Sequence, residues 1–121
     1  MSESSQIFFR LIPAHRLKRP ATGAEWHPPA DVYRTNDGWI VKVELAGVQP
    51  DDLEITLRGS TLRIAGSRRD TTCHQSVLCH QLEITYSRFE KTLRFPCSIE
   101  GAEINQDYRD GLLILHLRCQ D

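Results

Sequence analysis

The 121-residue chain lacks the features that mark several large functional classes. It has no run of about eighteen apolar residues, so no transmembrane helix is expected. It has no excess of one charge, because 15 Lys and Arg stand against 16 Asp and Glu. That balance argues against non-specific nucleic-acid binding, which needs a basic footprint. The glycine-rich nucleotide signatures GxxxxGK[ST] and GxGxxG are missing, as is the GxSxG nucleophile elbow. Ser, His and Asp occur, but in no local arrangement that would assemble a triad. No nucleophile, base and oxyanion site can be named together, so neither an enzyme nor a bound cofactor is expected.

The amino terminus also lacks a secretory pattern. Glu3 stands where such a signal carries positive charge, and Arg10 cuts the apolar run Ile7-Phe8-Phe9. A cytoplasmic protein is therefore expected, with Cys73, Cys79, Cys97 and Cys119 as free thiols. Residues 1–30 carry four basic and two acidic side chains, which leaves 11 and 14 for the remainder. This mildly basic head reads as a flexible, solvated arm. Its apolar residues permit at most a short amphipathic turn before Pro13, and Thr22-Gly23 and Pro28-Pro29 follow. Ile7, Phe8, Phe9, Leu11 and Ile12 allow two readings: an arm that folds back onto the domain, or an apolar surface offered to partners.

What the chain does have, from Asp31 onward, is a period of two. Trp39, Val41, Val43 and Leu45 alternate with Ile40, Lys42 and Glu44, and Leu53, Ile55 and Leu57 alternate with Glu54, Thr56 and Arg58. Leu62 and Ile64 flank Arg63, while Leu82, Ile84 and Tyr86 flank Glu83 and Thr85. Phe89, Leu93 and Phe95 share one face, and Leu112 to Leu117 is apolar on both faces except at His116. Successive side chains of a strand point to opposite faces, so this alternation predicts half-buried strands. Asn36-Asp37-Gly38, Gly47 to Asp52, Gly59-Ser60, Pro96 to Gly101 and Asp110-Gly111 supply turns between them. No sustained helical period appears after residue 30. Six to eight short strands make a one-domain, all-β sandwich or barrel.

One segment stands apart. Cys73-His74-Gln75 is repeated six residues later as Cys79-His80-Gln81. On one straight strand the two cysteines would face opposite to the two histidines, so a single zinc ion could not collect all four. On a loop that restriction lifts. A polar loop strand and a metal or thiol sensor both fit, although zinc frameworks prefer closer cysteine pairs.

The segment ELAGVQPDDLEITLRGSTLRIAGSRR, residues 44–69, resembles the alpha-crystallin domain of small heat shock proteins, bacterial type. Three further stretches continue the resemblance: Tyr86 to Lys91, Phe95-Pro96, and Asp110-Gly111-Leu112-Leu113-Ile114-Leu115. The resemblance divides the chain into an arm (1–30), an alpha-crystallin domain (31–118) and a short tail (119–121). It implies an immunoglobulin-like β-sandwich that acts as an ATP-independent holdase on unfolded or partly unfolded client proteins. It also implies a homodimer formed by strand exchange through the long loop from Ser67 to Glu83. Val77-Leu78 then forms a short exchanged strand, which brings Cys73, His74, Cys79 and His80 to the dimer contact.

The chain departs from the family pattern in several places. Ala46 replaces a proline, Ser87 a glycine, and Gln106 an alanine. Lys91 stands where the family carries an interface arginine, so a planar fork of donors is lost there. After Leu117 only Arg118, Cys119, Gln120 and Asp121 follow, with none of the family's I-x-[IV] extension. The expectation is a dimer or small oligomer with an unfilled edge groove, lined by Leu53, Ile55, Leu57 and Leu113 or Leu115. The alternative function is an adaptor module of the related CS-domain type, bound to one folded partner.

Overall fold

A computed structural model describes residues 25–72 and 76–119 of the chain. Seven strands appear among them: β1 (Ala30–Arg34), β2 (Gly38–Glu44), β3 (Leu53–Arg58), β4 (Thr61–Ser67), β5 (Arg88–Arg94), β6 (Glu103–Arg109) and β7 (Leu112–Arg118). They form two antiparallel sheets, one ordered β1-β2-β7-β6 and the other β3-β4-β5. The expected all-β sandwich is what the chain builds.

The period-two pattern explains the layering. Val41 and Val43 of β2 lie opposite Leu115 and Leu113 of β7, and all four are buried. In the other sheet Leu53, Ile55 and Leu57 lie opposite Gly66, Ile64 and Leu62, which in turn oppose Phe89, Lys91 and Leu93. The two inner faces meet in a core that also takes in Leu45, Val48, Phe95 and Ile99. Each large aliphatic side chain withdrawn from water there contributes about 2 kcal/mol before entropy is counted. The Trp39 ring closes one margin of the core, edge-on to Phe95 at 5.0 Å, with Arg34 stacked on it.

Polar residues hold the outer faces. Arg63 reaches across the β3-β4-β5 sheet to Glu90 (2.6 Å) on one side and Glu54 (3.7 Å) on the other. The hydrogen bond to Glu90 raises the Arg63 pKa above its usual value.

Two hairpins are as short as antiparallel pairing allows. Asp110 and Gly111 join β6 to β7, both in the left-handed region at φ 54° and 77°. Gly66 is required for a different reason. A Cβ there would stand 2.2 Å from the Asp52 carbonyl oxygen, so only glycine lets the turn before β3 lie against β4.

One expected strand is absent. Leu82 to Tyr86 alternates correctly, yet residues 81–87 join neither sheet. Alternation marks a chain that can pair but not whether it does: β4 takes β5 as its second neighbour, and residues 81–87 run outside both sheets although edges at β3 and β5 stay open among the described residues. In their place the structure has β6, whose residues Glu103–Arg109 carry too few apolar side chains to read as a strand.

Candidate functional site

No helix among the described residues is long and apolar enough to cross a membrane, and no group of three His, Cys, Asp or Glu among them could hold a metal ion. The surface is instead distinguished by where apolar side chains meet water. Leu78 is 92% exposed, and Val77 and Ile84 are exposed beside it, all on the connection between β4 and β5. The other exposed large apolar residues, Val32 (41%) and Tyr33 (47%), belong to β1. That strand is the outermost of its sheet, with β2 on one side and no strand on the other among the described residues. An open strand edge can accept a further segment, because its unpaired backbone groups complete a ladder with whatever pairs there.

The connection is open at its middle and pinned at its ends. Two consecutive arginines do the pinning. Arg68 donates through Nε (2.9 Å) and Nη2 (2.6 Å) to the Thr85 carbonyl, and through Nη1 to the Ala46 carbonyl (3.2 Å). Its backbone N–H donates to the Ser87 carbonyl at 2.9 Å. Arg69 turns the other way and pairs through Nε with Asp52 Oδ2 at 2.8 Å. Asp52 is 1% exposed, and its second oxygen Oδ1 has no protein donor. A buried carboxylate depends on its cation, so this pair is costly to break from either side.

On the side of the β6–β7 hairpin, the Tyr108 hydroxyl donates to the Leu45 carbonyl. Burial raises the Tyr108 pKa, against a smaller lowering by the Val48 backbone hydrogen bond and the Arg68 charge.

The residues expected from the sequence fall out unevenly. Ile7, Phe8, Phe9, Leu11, Ile12, Cys73 and His74 lie outside the described residues. Val77, Leu78, Cys79 and His80 are all exposed on the connection, outside both sheets. Lys91 is half-buried on β5, on the inward face between Phe89 and Leu93. Of the expected groove, Ile55 and Leu57 are half-buried at the core margin on β3, an edge strand. Leu53, Leu113 and Leu115 are a correction: each is at most 1% exposed and packs inside the core. For Leu113 and Leu115 the reason is topological: β7 is hydrogen-bonded to β2 and to β6, so it has no free edge from which to line a groove. Leu53 lies on the edge strand β3 but points into the core.

Sequence reasoning missed Trp26, Asp52, Arg68 and Arg69 as organisers of the loop. The signal was the Arg68-Arg69 pair immediately after an apolar strand, where two long cations must each find an acceptor.

Residues 31–120 match the model of the Hsp20/alpha crystallin family, and the chain belongs to that family. Among individual proteins, it is 28% identical over 90 residues to spore protein SP21 of Stigmatella aurantiaca, covering 74% of this chain and 53% of that one. It is 27% identical over 86 residues to small heat shock protein C2 of Rickettsia felis, covering 71% and 56%. Heat shock protein 16.0 of Schizosaccharomyces pombe superposes with a TM-score of 0.70 at 25% identity, over 80% of this chain and 94% of that one. The chain thus spans about half the length of the curated relatives it matches.

Proposed function

We propose that the protein is a holdase: it captures apolar surface on unfolding proteins and keeps it from aggregating, without ATP. Capture by mass action requires no hydrolysis, since a binder of exposed segments lowers their free concentration by occupancy alone. The working unit in this reading is a homodimer. The segment around Val77 and Leu78 of each copy adds to the β1 edge of the other, as a closed, two-fold exchange.

The observation that carries the proposal is the exposure of Leu78, at 92%, on a segment that joins neither sheet, in a chain whose β1 edge is open among the described residues. An isolated exposed leucine is ordinary; a leucine beside Val77 on such a segment suits a second copy. Backbone pairing would supply affinity there, which leaves Cys79 and His80 free to vary in identity. Clients would be taken by Ile7, Phe8, Phe9, Leu11 and Ile12 of the arm, and by the β3 margin at Ile55 and Leu57.

Light scattering from a heat-unfolding model protein tests the activity. Suppression without nucleotide, at subunit ratios near one to one, is the expected result; undiminished aggregation at a large excess would refute it. Removing residues 1–24 should weaken suppression while leaving the sandwich folded, and unchanged suppression would eliminate the arm as a client surface.

A further inference from the structure

Arg68 is the point at which four separate stretches of chain meet. Its guanidinium carbon lies 3.7 Å from the centroid of the Trp26 ring and 5.8 Å from that of Tyr86. Its three side-chain hydrogen bonds end on Thr85 and Ala46. Its stem passes so close to Gly47 that a Cβ there would lie 3.3 Å from the Arg68 Cδ. Trp26 is itself fixed twice. Its backbone N–H donates to Ser87 Oγ at 3.1 Å, and its ring stands edge-on to Phe89 at 5.1 Å. The indole therefore sits between Phe89 and Arg68, and Ser87 ties it to the far end of the β4–β5 connection.

We propose that the Trp26–Arg68 stack is a latch that couples the root of the N-terminal arm to the β4–β5 connection. Trp26 lies just before β1, and Arg68 closes the base of the connection. The latch thus joins the strand that presents an open edge to the segment that presents Leu78. Its physics is local. The indole covers one face of the guanidinium, desolvates it and so strengthens its hydrogen bonds to the two carbonyls. Pulling Trp26 away wets the guanidinium, and water then competes for the Thr85 carbonyl. The base of the connection loosens at Thr85, because the fork that ties that carbonyl to Arg68 then works against the entropy of holding a long loop closed with weaker bonds. Linkage makes the effect reciprocal: a disturbed connection weakens the seat of Trp26 by the same factor. Whatever engages the arm is thereby felt at the connection.

The latch stands on contacts within one chain. Only its consequence for assembly rests on the strand-exchange reading. Trypsin cleavage after Arg69, followed by mass spectrometry on the full chain, reads the open population of the base, and cleavage after Lys42 in β2 reports global unfolding. Trp26→Ala should speed cleavage after Arg69 about tenfold and leave Lys42 protected. Arg68→Lys, which keeps the charge but loses the fork, should do the same. The double variant should be no faster than the worse single one, since both remove one contact.

Trp26→Leu keeps apolar cover over Phe89 without the stack, and it too should open the base. Trp26→Phe should restore most of the protection. Wild-type cleavage rates in Trp26→Ala or Trp26→Leu, additive effects in the double variant, or parallel acceleration at Lys42 would overturn the latch. Sizing the same proteins keeps the two ideas apart, because a monomeric wild type would remove strand exchange and leave the cleavage result standing.

Discussion

Two connections in this molecule do the same topological job at very different length. β6 and β7 are adjacent and antiparallel, and Asp110 and Gly111 suffice to join them. β4 and β5 are also adjacent and antiparallel, yet residues 68–87 lie between them. Antiparallel neighbours need only a two-residue turn, so the second connection carries chain that the fold does not require. Its composition is unlike a passive insertion. The ends are held by Arg68 and Arg69, Leu78 and Val77 are exposed in the middle, and Ile84 is exposed beside the pinned end. A loop fixed at its base with Val77 and Leu78 exposed is what the proposed strand exchange would use.

The difference between sandwich and connection can be broken at graded cost. The largest effect belongs to the sandwich. Leu115→Ala leaves a cavity opposite Val41 in the core and should cost about 3 kcal/mol, lowering Tm by roughly 15 °C in calorimetry. The base of the connection comes next. Arg69→Ala strands the buried Asp52 carboxylate and should cost about 2 kcal/mol in urea unfolding, discounted because Arg69 is itself partly exposed. Asp52→Asn should cost less, since a neutral amide needs no cation.

The hairpin side has a smaller and pH-dependent part. Tyr108→Phe loses the hydrogen bond to the Leu45 carbonyl, worth about 1 kcal/mol. The Tyr108 pKa is raised in the folded state, so the neutral phenol is favoured there. Its contribution is fully present below the ordinary tyrosine pKa of about 10 and is lost as pH rises through the folded value. Melting temperatures taken from pH 8 to 11 should therefore fall more steeply for the wild type than for Tyr108→Phe.

How far the sequence revealed this molecule depends on whether the information was local. Alternation placed β2, β3, β4, β5 and β7, and Asp110-Gly111 announced its hairpin. β6 escaped because Glu103, Asn105 and Asp107 face outward while the inward Gln106 is polar. Leu82 to Tyr86 showed the opposite failure: the right alternation in a segment that joins neither sheet. Leu113 and Leu115 were misassigned to a groove for a related reason, since strand order within a sheet is not written in any one strand. The roles of Trp26 and Asp52 depend on partners far away in sequence, at Arg68 and Arg69, and no local pattern could expose them. Val77 and Leu78 were singled out only through the family resemblance, which marks a long loop there; their exposure is a feature of the structure.

The smallest expected change in stability accompanies the most decisive change in assembly. Leu78→Asp should alter the stability of the folded chain by no more than about 0.5 kcal/mol, since the side chain is exposed. The same substitution places a charge where the strand-exchange reading requires an apolar contact. Mass from light scattering should find the wild type as a dimer or larger assembly, and Leu78→Asp as a folded monomer. A monomeric wild type, or a variant that assembles as the wild type does, would contradict the account and favour an adaptor that meets a different folded partner.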